Sequence, residues 1–415
     1  MATAPFGNST ITSAFQPIFS FSHRRVVGFE GLVRGRDSSG NPLSPADIFG
    51  SISTPNETLY LDRICRHLHV CNMQRLEDVE KTWLFININP HVILDGKRTG
   101  SFFTPTLLER TGFPANRLVI EILEKEIQDE GLMEEAVTHY REMGCLVAID
   151  DFGAGASNFD RIWKFKPDIV KLDRSLIVNA ENNTRARRIL PSLVSLLHEA
   201  ACLVLLEGVE TEDQALMTMD ADVDMVQGFH FARPQSLPER VHTGPPPGID
   251  SLAGRLREDT EKSSRKQFAD LSRYLGDFWE SAHSACVDGT TCDEFLSNPR
   301  VRRCFALDDL GGQTERNMVA EEQIADSDPR FEPIKDARGA DWSRRAYFRR
   351  ALSRPGEVQV TGPYLSLPDA TMCVTLSLAL KVGESTRVFC CDLDWEEGGQ
   401  TSLITGSMGP WPRNA

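Results

Sequence analysis

Residues 145–173 read CLVAIDDFGAGASNFDRIWKFKPDIVKLD, and this stretch decides the fold. It contains two short apolar runs, which end in Asp150-Asp151 and in Lys171, separated by a connector long enough for a helix. Apolar, β-branched runs that alternate with helix-length connectors are typical of parallel strands joined by right-handed crossovers. The stretch therefore predicts a strand-helix-strand unit with charged side chains at the carboxyl ends of its strands.

The same pattern extends in both directions and gives eight predicted strands. They are ITSAFQPIF (11–19), VVGFEGLV (26–33), WLFININ (83–89), RLVIEIL (117–123), CLVAIDD (145–151), DIVKLD (168–173), CLVLLEG (202–208) and DMVQGF (224–229). Only SFSHRR separates the first two, and so short a segment cannot hold a crossover helix, so this pair should be an antiparallel hairpin. We predict an α/β fold, a TIM-like (β/α)8 barrel with one antiparallel strand.

Seven of these runs carry a polar side chain where the apolar run ends. The carboxyl ends of the strands of an α/β barrel converge on one face, which carries the chemistry. The side chains expected there are Glu30, Asn87, Glu121, Asp150 with Asp151, Lys171, Glu207 and Gln227. A single acid at a strand end is usually a helix cap or a solvated loop residue, but several at equivalent positions indicate a shared site.

Carboxylates packed this closely raise one another's pKa unless a cation lies among them. Oxygen ligands favour a hard divalent ion such as Mg²⁺ or Mn²⁺. Two such ions, about 3.5 to 4 Å apart near Asp150-Asp151, would suit phosphodiester hydrolysis. Arg34 lies just beyond the second strand, where it could contact a phosphate or form an ordinary surface salt bridge.

Over roughly residues 8–240 the sequence resembles an EAL-type cyclic di-GMP phosphodiesterase domain. The motifs that carry this resemblance are Gln16-Pro17-Ile18, Glu30-Gly31-Leu32-Val33-Arg34, Asn87-Ile88-Asn89-Pro90, Glu121-Ile122-Leu123-Glu124, Asp150-Asp151-Phe152-Gly153, Lys171-Leu172-Asp173, Glu207-Gly208-Val209-Glu210 and Gln227-Gly228-Phe229. The resemblance implies hydrolysis of cyclic di-GMP to pGpG with Mg²⁺ or Mn²⁺. It also implies a homodimer.

The resemblance further implies a role for each motif residue. The implied metal ligands are Glu30, Asn87, Glu121, Asp150 and Asp151. The implied catalytic residues are Lys171 and Glu207, which would orient and activate the attacking water, and Glu124, which would steady the loop after the Asp pair. The positions implied to hold the nucleotide are Gln16, Leu32, Arg34, Asp173, Glu210 and Gln227.

The sequence departs from the family pattern at two positions near the expected site. Gly31 replaces the signature Ala, and this change is expected to add backbone freedom beside Glu30 with little harm. Leu123 stands where the family usually has Thr, which removes a hydroxyl near the metals. The second change is expected to lower turnover.

The segment VHTGPPPGIDS (241–251) marks a boundary, because three consecutive prolines interrupt regular structure. We predict a barrel domain over 1–240, a linker and connecting helix over 241–285, and an α+β domain over 286–415. In the last domain, apolar residues alternate with other residues from Met372 to Leu380, which predicts a half-buried strand paired antiparallel with RVFCCDLDW.

The order of elements after residue 300 resembles PAS-like sensory domains of the Cache group. This resemblance implies that a small ligand is bound near Arg345, Tyr347, Tyr364 and Asp392. The alternative is a packing or dimerisation domain without a ligand.

The composition limits the partners and the location. Sixty acidic residues against 45 basic ones give a net charge of −15, which disfavours binding to duplex nucleic acid or to an anionic membrane. Ten scattered cysteines without CxxC spacing indicate free thiols, and no apolar run of about 18 residues occurs. We therefore expect a cytoplasmic protein.

Two functions of different classes remain open at this point. One is a metal-dependent phosphodiesterase regulated by its C-terminal domain. The other is a catalytically weak or inactive cyclic di-GMP receptor that signals to a protein partner. The full set of carboxylates favours the enzyme, because a receptor need not retain every metal ligand.

Overall fold

The structure is a computed structural model, and it describes residues 1–52, 54–76, 82–89, 103–123, 130–155, 159–236, 248–288, 292–319, 337–365, 372–394 and 406–410. The chain divides into two compact units, Met1–Leu256 and Arg257–Ala415. In the ranges above, no helix has both the length and the apolarity needed to cross a lipid bilayer.

The described residues of the first unit form ten strands, of which eight close into a barrel. The strands are β1 (Ala4–Phe6), β2 (Ser9–Ser20), β3 (Arg25–Arg36), β4 (Pro42–Leu43), β5 (Trp83–Asn87), β6 (Leu118–Leu123), β7 (Leu146–Phe152), β8 (Ile169–Leu172), β9 (Leu203–Leu206) and β10 (Met225–Val226). Around the barrel the order is β2-β10-β9-β8-β7-β6-β5-β3, and β3 pairs again with β2. Strand β2 is antiparallel to both of its neighbours, whereas the other barrel pairs are parallel. The predicted barrel with one antiparallel strand is confirmed.

The helices described in this unit cover the outside of the barrel. They are α1 (Pro45–Gly50), α2 (Pro55–Met73), α3 (Phe103–Thr111), α4 (Glu130–Glu142), α5 (Asp160–Phe165), α6 (Arg174–Asn182), α7 (Thr184–Glu199) and α8 (Glu212–Asp220). Ser44 and Thr54 each form a capping box and are each followed by proline, so two separate helices begin after them. The two capping boxes divide the segment after β4 into the separate helices α1 and α2.

The second unit is built on an antiparallel sheet with helices on both faces. Its described elements are β11 (Val301–Leu307), β12 (Glu357–Leu365), β13 (Met372–Val382), β14 (Ser385–Asp394), β15 (Gly406–Pro410), α10 (Asp293–Leu296) and α11 (Ala346–Ser353), preceded by the long helix α9 (Ile249–His283), which begins in the first unit. The sheet order is β11-β14-β13-β12-β15, and every pair is antiparallel.

Strand β13 is buried on both faces, so the predicted half-buried strand is wrong. Residues 373–379 are all buried. One face packs in a core cluster with Phe278 of α9. The other face meets α11, where Ser377 Oγ donates to the carbonyl oxygen of Tyr347 at 2.9 Å. The alternation of apolar and other residues along β13 shows which residues share a face of the strand. It does not show that α11 covers the more polar of the two faces.

Candidate active site

The site lies one layer above an apolar plug that fills the barrel. The plug takes one buried residue from each barrel strand: Ile18, Val27, Phe85, Val119, Ala148, Ile169, Leu205 and Met225. Residues two apart in a strand point to the same side of the sheet. The residue two positions after each plug residue in a parallel strand therefore also points into the barrel, but nearer the carboxyl end of the strand. On six parallel strands that residue is polar, namely Asn87, Glu121, Asp150, Lys171, Glu207 and Gln227. We call this end of the barrel the mouth.

Lys171 lies at the centre of the mouth, with its side chain only 1% exposed. Its Nζ is 2.5 Å from Glu121 Oε1 and 2.6 Å from Glu207 Oε1. The same nitrogen is 3.1 Å from Asp150 Oδ1 and 3.9 Å from Glu30 Oε1. One ammonium group therefore faces four carboxylates, and these five residues are called the Lys171 cluster below.

The pKa values of this cluster reflect its excess of negative charge. Burial raises the pKa of Glu121 well above its ordinary value, and Lys171 only partly opposes the effect. Burial likewise raises the pKa of Glu207 to about 8. Burial alone would lower the pKa of Lys171, but Asp150, Glu121 and Glu207 outweigh it and raise that pKa well above normal. One lysine does not neutralise the carboxylates around it.

Two amide side chains fix the orientation of Glu30 and Glu121. Asn87 Nδ2 donates to Glu121 Oε2 at 2.9 Å and to Glu30 Oε1 at 3.3 Å. Gln227 Nε2 donates to Glu30 Oε2 at 2.7 Å. Across the parts of the chain that the structure describes, the buried Gln227 Oε1 has no hydrogen-bond donor. The mouth therefore contains an acceptor oxygen in addition to its carboxylates.

The oxygen atoms at the mouth fit a hard divalent cation. Asp150, Asp151 and Glu207 each place one carboxylate oxygen within 4.8 Å of the others. Asp151 has a φ of 58°, a left-handed conformation that costs about 1 kcal/mol for a residue with a side chain. Its N–H donates to Asp150 Oδ1 at 2.9 Å. Oxygen-only ligands with surplus negative charge are what Mg²⁺ and Mn²⁺ prefer.

Four of the residues predicted to bind the nucleotide lie around Glu30. Gln16 is the ladder partner of Glu30, and its Nε2 donates to the carbonyl oxygen of Ala232 at 3.2 Å. Leu32 is partly buried in the same strand. Burial lowers the pKa of the Arg34 guanidinium, although the nearby Glu30 carboxylate opposes this effect. Gln227, discussed above, is the fourth residue of this group.

The other predicted residues have different partners. Asp173 caps α6 by accepting from the Ser175 N–H at 3.0 Å. Glu210 accepts from Arg174 Nη2 at 2.6 Å. Within the described residues, no hydrogen bond or ion pair joins Asp173 or Glu210 to the Lys171 cluster. Glu124 lies outside the residues that the structure describes.

Sequence reasoning missed a buried ion pair that supports the segment after Asn87. Asp62 Oδ1 accepts from the Asn89 N–H at 3.2 Å, and Asp62 pairs with Arg66 one turn further along α2. Arg66 is 1% exposed and donates to Thr104 Oγ1 at 2.9 Å. The available signal was a pair of opposite charges four residues apart among the apolar residues of the connector between the second and third predicted strands.

The EAL domain family matches residues 3–234, which is more than half of the chain. The chain belongs to the EAL domain family. The cyclic di-GMP phosphodiesterase RocR of Pseudomonas aeruginosa is 27% identical over 236 residues, which cover 56% of this chain and 59% of RocR. The chain thus spans less than two thirds of the length of RocR and of several other curated relatives.

Two solved structures extend this comparison of the EAL domain. The Bacillus subtilis YkuI protein, crystallised with cyclic di-GMP and calcium, has a TM-score of 0.75 and 20% identity, covering 93% of this chain and 96% of YkuI. At that identity the match supports the fold alone, and it does so for nearly the whole chain. The Klebsiella pneumoniae BlrP1 complex with manganese and cyclic di-GMP has 26% identity and a TM-score of 0.50, covering 56% of this chain and 58% of BlrP1.

Proposed function

We propose that this chain is a metal-dependent phosphodiesterase that hydrolyses cyclic di-GMP to 5'-pGpG. The observation that carries the proposal is the Lys171 cluster, in which four carboxylates surround one buried lysine at the mouth of an EAL barrel. The name of RocR and the nucleotide and manganese in the BlrP1 structure support the choice of substrate and cofactor. We propose Mg²⁺ or Mn²⁺ as the cofactor.

In this proposal the residues that would hold two ions are Glu30, Asn87, Glu121, Asp150 and Asp151. When bound, such ions lower the pKa of a water molecule and stabilise the charge of an in-line transition state. Lys171 orients the carboxylates around it and places a positive charge where phosphate charge develops. Glu207, whose Oε1 lies 2.6 Å from Lys171 Nζ, would orient and activate the attacking water together with that lysine.

We propose that the nucleotide contacts the residues around Glu30 and those at the rim of the mouth. Arg34 would fork onto a phosphate oxygen, with Gln16, Leu32 and Gln227 beside it. Asp173 and Glu210 would contact the nucleotide only after exchanging their present partners, the Ser175 N–H and Arg174.

Three further parts of the proposal rest on the family resemblance and on the thiols. We propose that Glu124 steadies the loop that follows Asp151, and that this loop contributes to a homodimer. All ten cysteines are free, which supports a cytoplasmic location because unpaired thiols are typical of a reducing compartment.

The decisive experiment is a product assay on the full chain with Mn²⁺ or Mg²⁺. We expect conversion of cyclic di-GMP to pGpG, weak metal binding and no turnover in Glu30→Ala and Asp150→Ala, and wild-type behaviour in the exposed control Glu199→Ala. Tight nucleotide binding without product under either metal would instead support the receptor that signals to a protein partner.

We also propose that residues 286–415 form a PAS-like or Cache-like sensory domain, joined to the barrel by residues 241–285, that regulates the barrel by binding a small ligand. The supporting observation is a cavity, whose lining includes all four predicted ligand residues, Arg345, Tyr347, Tyr364 and Asp392, together with Arg303 and Trp342.

The charges in this cavity favour an anionic ligand. Asp392 already accepts from Arg303 Nε at 2.9 Å, Tyr364 Oη at 3.0 Å and Thr375 Oγ1 at 2.7 Å. The Arg345 guanidinium lies 5.6 Å from the Tyr364 ring centre, and no carboxylate of the described residues is within ion-pair distance of it. A small carboxylate is therefore the ligand class that the cavity would accept.

A thermal-shift screen of amino acids and small organic acids tests this second proposal. We expect a shift with an organic acid in the wild type and none in Arg345→Ala. The absence of any shift across a broad panel would favour a packing or dimerisation role for this domain.

A further inference from the structure

Gly31 follows Glu30 in β3, and the structure leaves no space for a side chain at this position. A Cβ atom there would lie 2.8 Å from His69 Cγ and 3.0 Å from both His69 Cβ and His69 Cδ2. Gly31 is not among the glycines with a positive φ, so its backbone does not require glycine. The reason for glycine is space, and the expectation that it adds backbone freedom does not describe its role here.

His69 is held firmly in the space beside Gly31. It projects from α2, is 4% exposed, and its Nδ1 lies 2.8 Å from Ser13 Oγ. Asn72 Nδ2 donates to the same Ser13 oxygen at 3.2 Å, and the Phe15 ring packs edge-on at 6.4 Å between ring centres. The overlapping atoms belong to the base of the His69 side chain and its ring, so a rotation of the side-chain end would not relieve the overlap.

The position of Gly31 determines the position of Glu30. Glu30 is paired in the ladder with Gln16 on one side and with Phe85 on the other. Its carboxylate has short contacts with Gln227 at 2.7 Å and Asn87 at 3.3 Å. A displacement of β3 away from α2 by a few tenths of an ångström would be as large as the range of donor–acceptor distances over which such hydrogen bonds form.

We infer that His69 is a positioning residue for Glu30, because its imidazole fills the space that the signature alanine of the family would occupy and sets the distance between α2 and β3. The inference rests on the proposed metal-binding role of Glu30. Restoring the family alanine at position 31 should therefore damage this protein unless His69 is shortened at the same time.

A double-mutant cycle on the full chain tests this coupling. The variants are Gly31→Ala, His69→Ala and the double variant, and Gly50→Ala serves as a matched control because a Cβ at Gly50 meets nothing within 4 Å. The measurements are Mn²⁺ affinity, from free Mn²⁺ in electron paramagnetic resonance, and urea unfolding without metal. Mn²⁺ affinity of the folded protein is a measurement that a merely structural effect would leave unchanged.

We expect Gly31→Ala to weaken Mn²⁺ binding about tenfold or more, or to leave the chain unfolded, since overpacking a buried contact is strongly unfavourable. The double variant should recover folding and most of the affinity, and Gly50→Ala should match the wild type. Wild-type affinity in Gly31→Ala, or a double variant no better than Gly31→Ala, would overturn the inference. Neither measurement requires turnover, so a wild type that binds Mn²⁺ without hydrolysing cyclic di-GMP would contradict the proposed activity and leave this test intact.

Discussion

At the amino end of the barrel, two aspartates precede strands β8 and β10, whereas at the mouth the acids follow the apolar part of each strand. Asp168 accepts from the Val147 N–H at 2.8 Å and from Arg141 Nη2 at 3.1 Å. Asp224 has the same arrangement between β9 and β10. It accepts from the Val204 N–H at 2.7 Å and lies 2.9 Å from His198 Nε2. Each of these acids has its own partners within the fold.

The mouth differs because its carboxylates outnumber their protein cations. Glu121, Glu207 and Asp150 share one ammonium group, and burial raises the pKa of the first two. An acid that the fold satisfies contributes to stability, whereas a group of acids that the fold leaves in excess needs a cation from outside. The two ends of the barrel therefore differ in the number of protein partners that each acid has. The acids at the amino end stabilise the fold, whereas those at the mouth are available to bind a cation.

Lys171→Met should have the largest effect, because it leaves the fully buried Glu121 without its cation. We expect the metal-free protein to lose about 3 to 5 kcal/mol of unfolding free energy and the proposed hydrolysis of cyclic di-GMP to be lost. Urea unfolding with and without Mn²⁺ measures this, and saturating Mn²⁺ should restore part of the loss. Arg141→Met at the amino end is the control, and it should show no recovery with Mn²⁺. Equal responses of the two variants to Mn²⁺ would contradict the distinction between the two ends.

Asp224→Ala should lower the unfolding free energy by about 1 to 3 kcal/mol, because the Val204 N–H loses its acceptor. Mn²⁺ affinity should stay at the wild-type value, since in the described residues no hydrogen bond or ion pair joins Asp224 to the Lys171 cluster. Urea unfolding and a Mn²⁺ titration on the same preparation check both parts. A change in Mn²⁺ affinity would show that the amino end also shapes the metal site.

The metal-free protein should become less stable as the pH rises from about 5 to 7, through the raised pKa of Glu207. Its pKa is about 8 in the folded chain against an ordinary value of 4.5. The stabilisation from its proton is therefore complete below about pH 4.5 and is lost as the pH rises to about 8. Thermal unfolding across this range should show a dependence that is smaller in Glu207→Gln and in saturating Mn²⁺. An identical pH dependence in Glu207→Gln would disprove the assignment.

The sequence predicted the barrel and the members of its mouth because both follow from local patterns. A buried strand is a short apolar run, and a residue two positions beyond the plug must point the same way, so Glu121 and Asp150 could be placed from their strands alone. Asp173 and Glu210 follow the same kind of run, yet the structure gives them a helix N-terminus and Arg174 as partners. Their position in sequence showed which end of the barrel they occupy but not which atoms they contact.

Contacts between layers could not be read in the same way. The overlap of His69 with position 31 depends on the distance between α2 and β3, and no periodicity within either element encodes that distance. The support that Asp62 gives to Asn89 joins residues 27 positions apart through the same helix. In both cases the sequence showed a polar residue on an apolar helix face without showing what it packs against.

Leu123→Thr should have the smallest effect and would refine the comparison within the mouth itself. Leu123 stands two residues beyond Glu121 in β6, on the same side of the strand, and is the ladder partner of Asp150. A threonine hydroxyl would add an oxygen beside the proposed metal ligands, so we expect turnover to rise about twofold to fivefold, less than 1 kcal/mol in activation free energy. Leu123→Val is the matched control, because valine has the shape of threonine without the hydroxyl. Turnover is measured by steady-state kinetics with Mn²⁺. An equal rise in turnover in both variants would assign the effect to side-chain volume. No rise in either variant would show that the carboxylates and amides already complete the site.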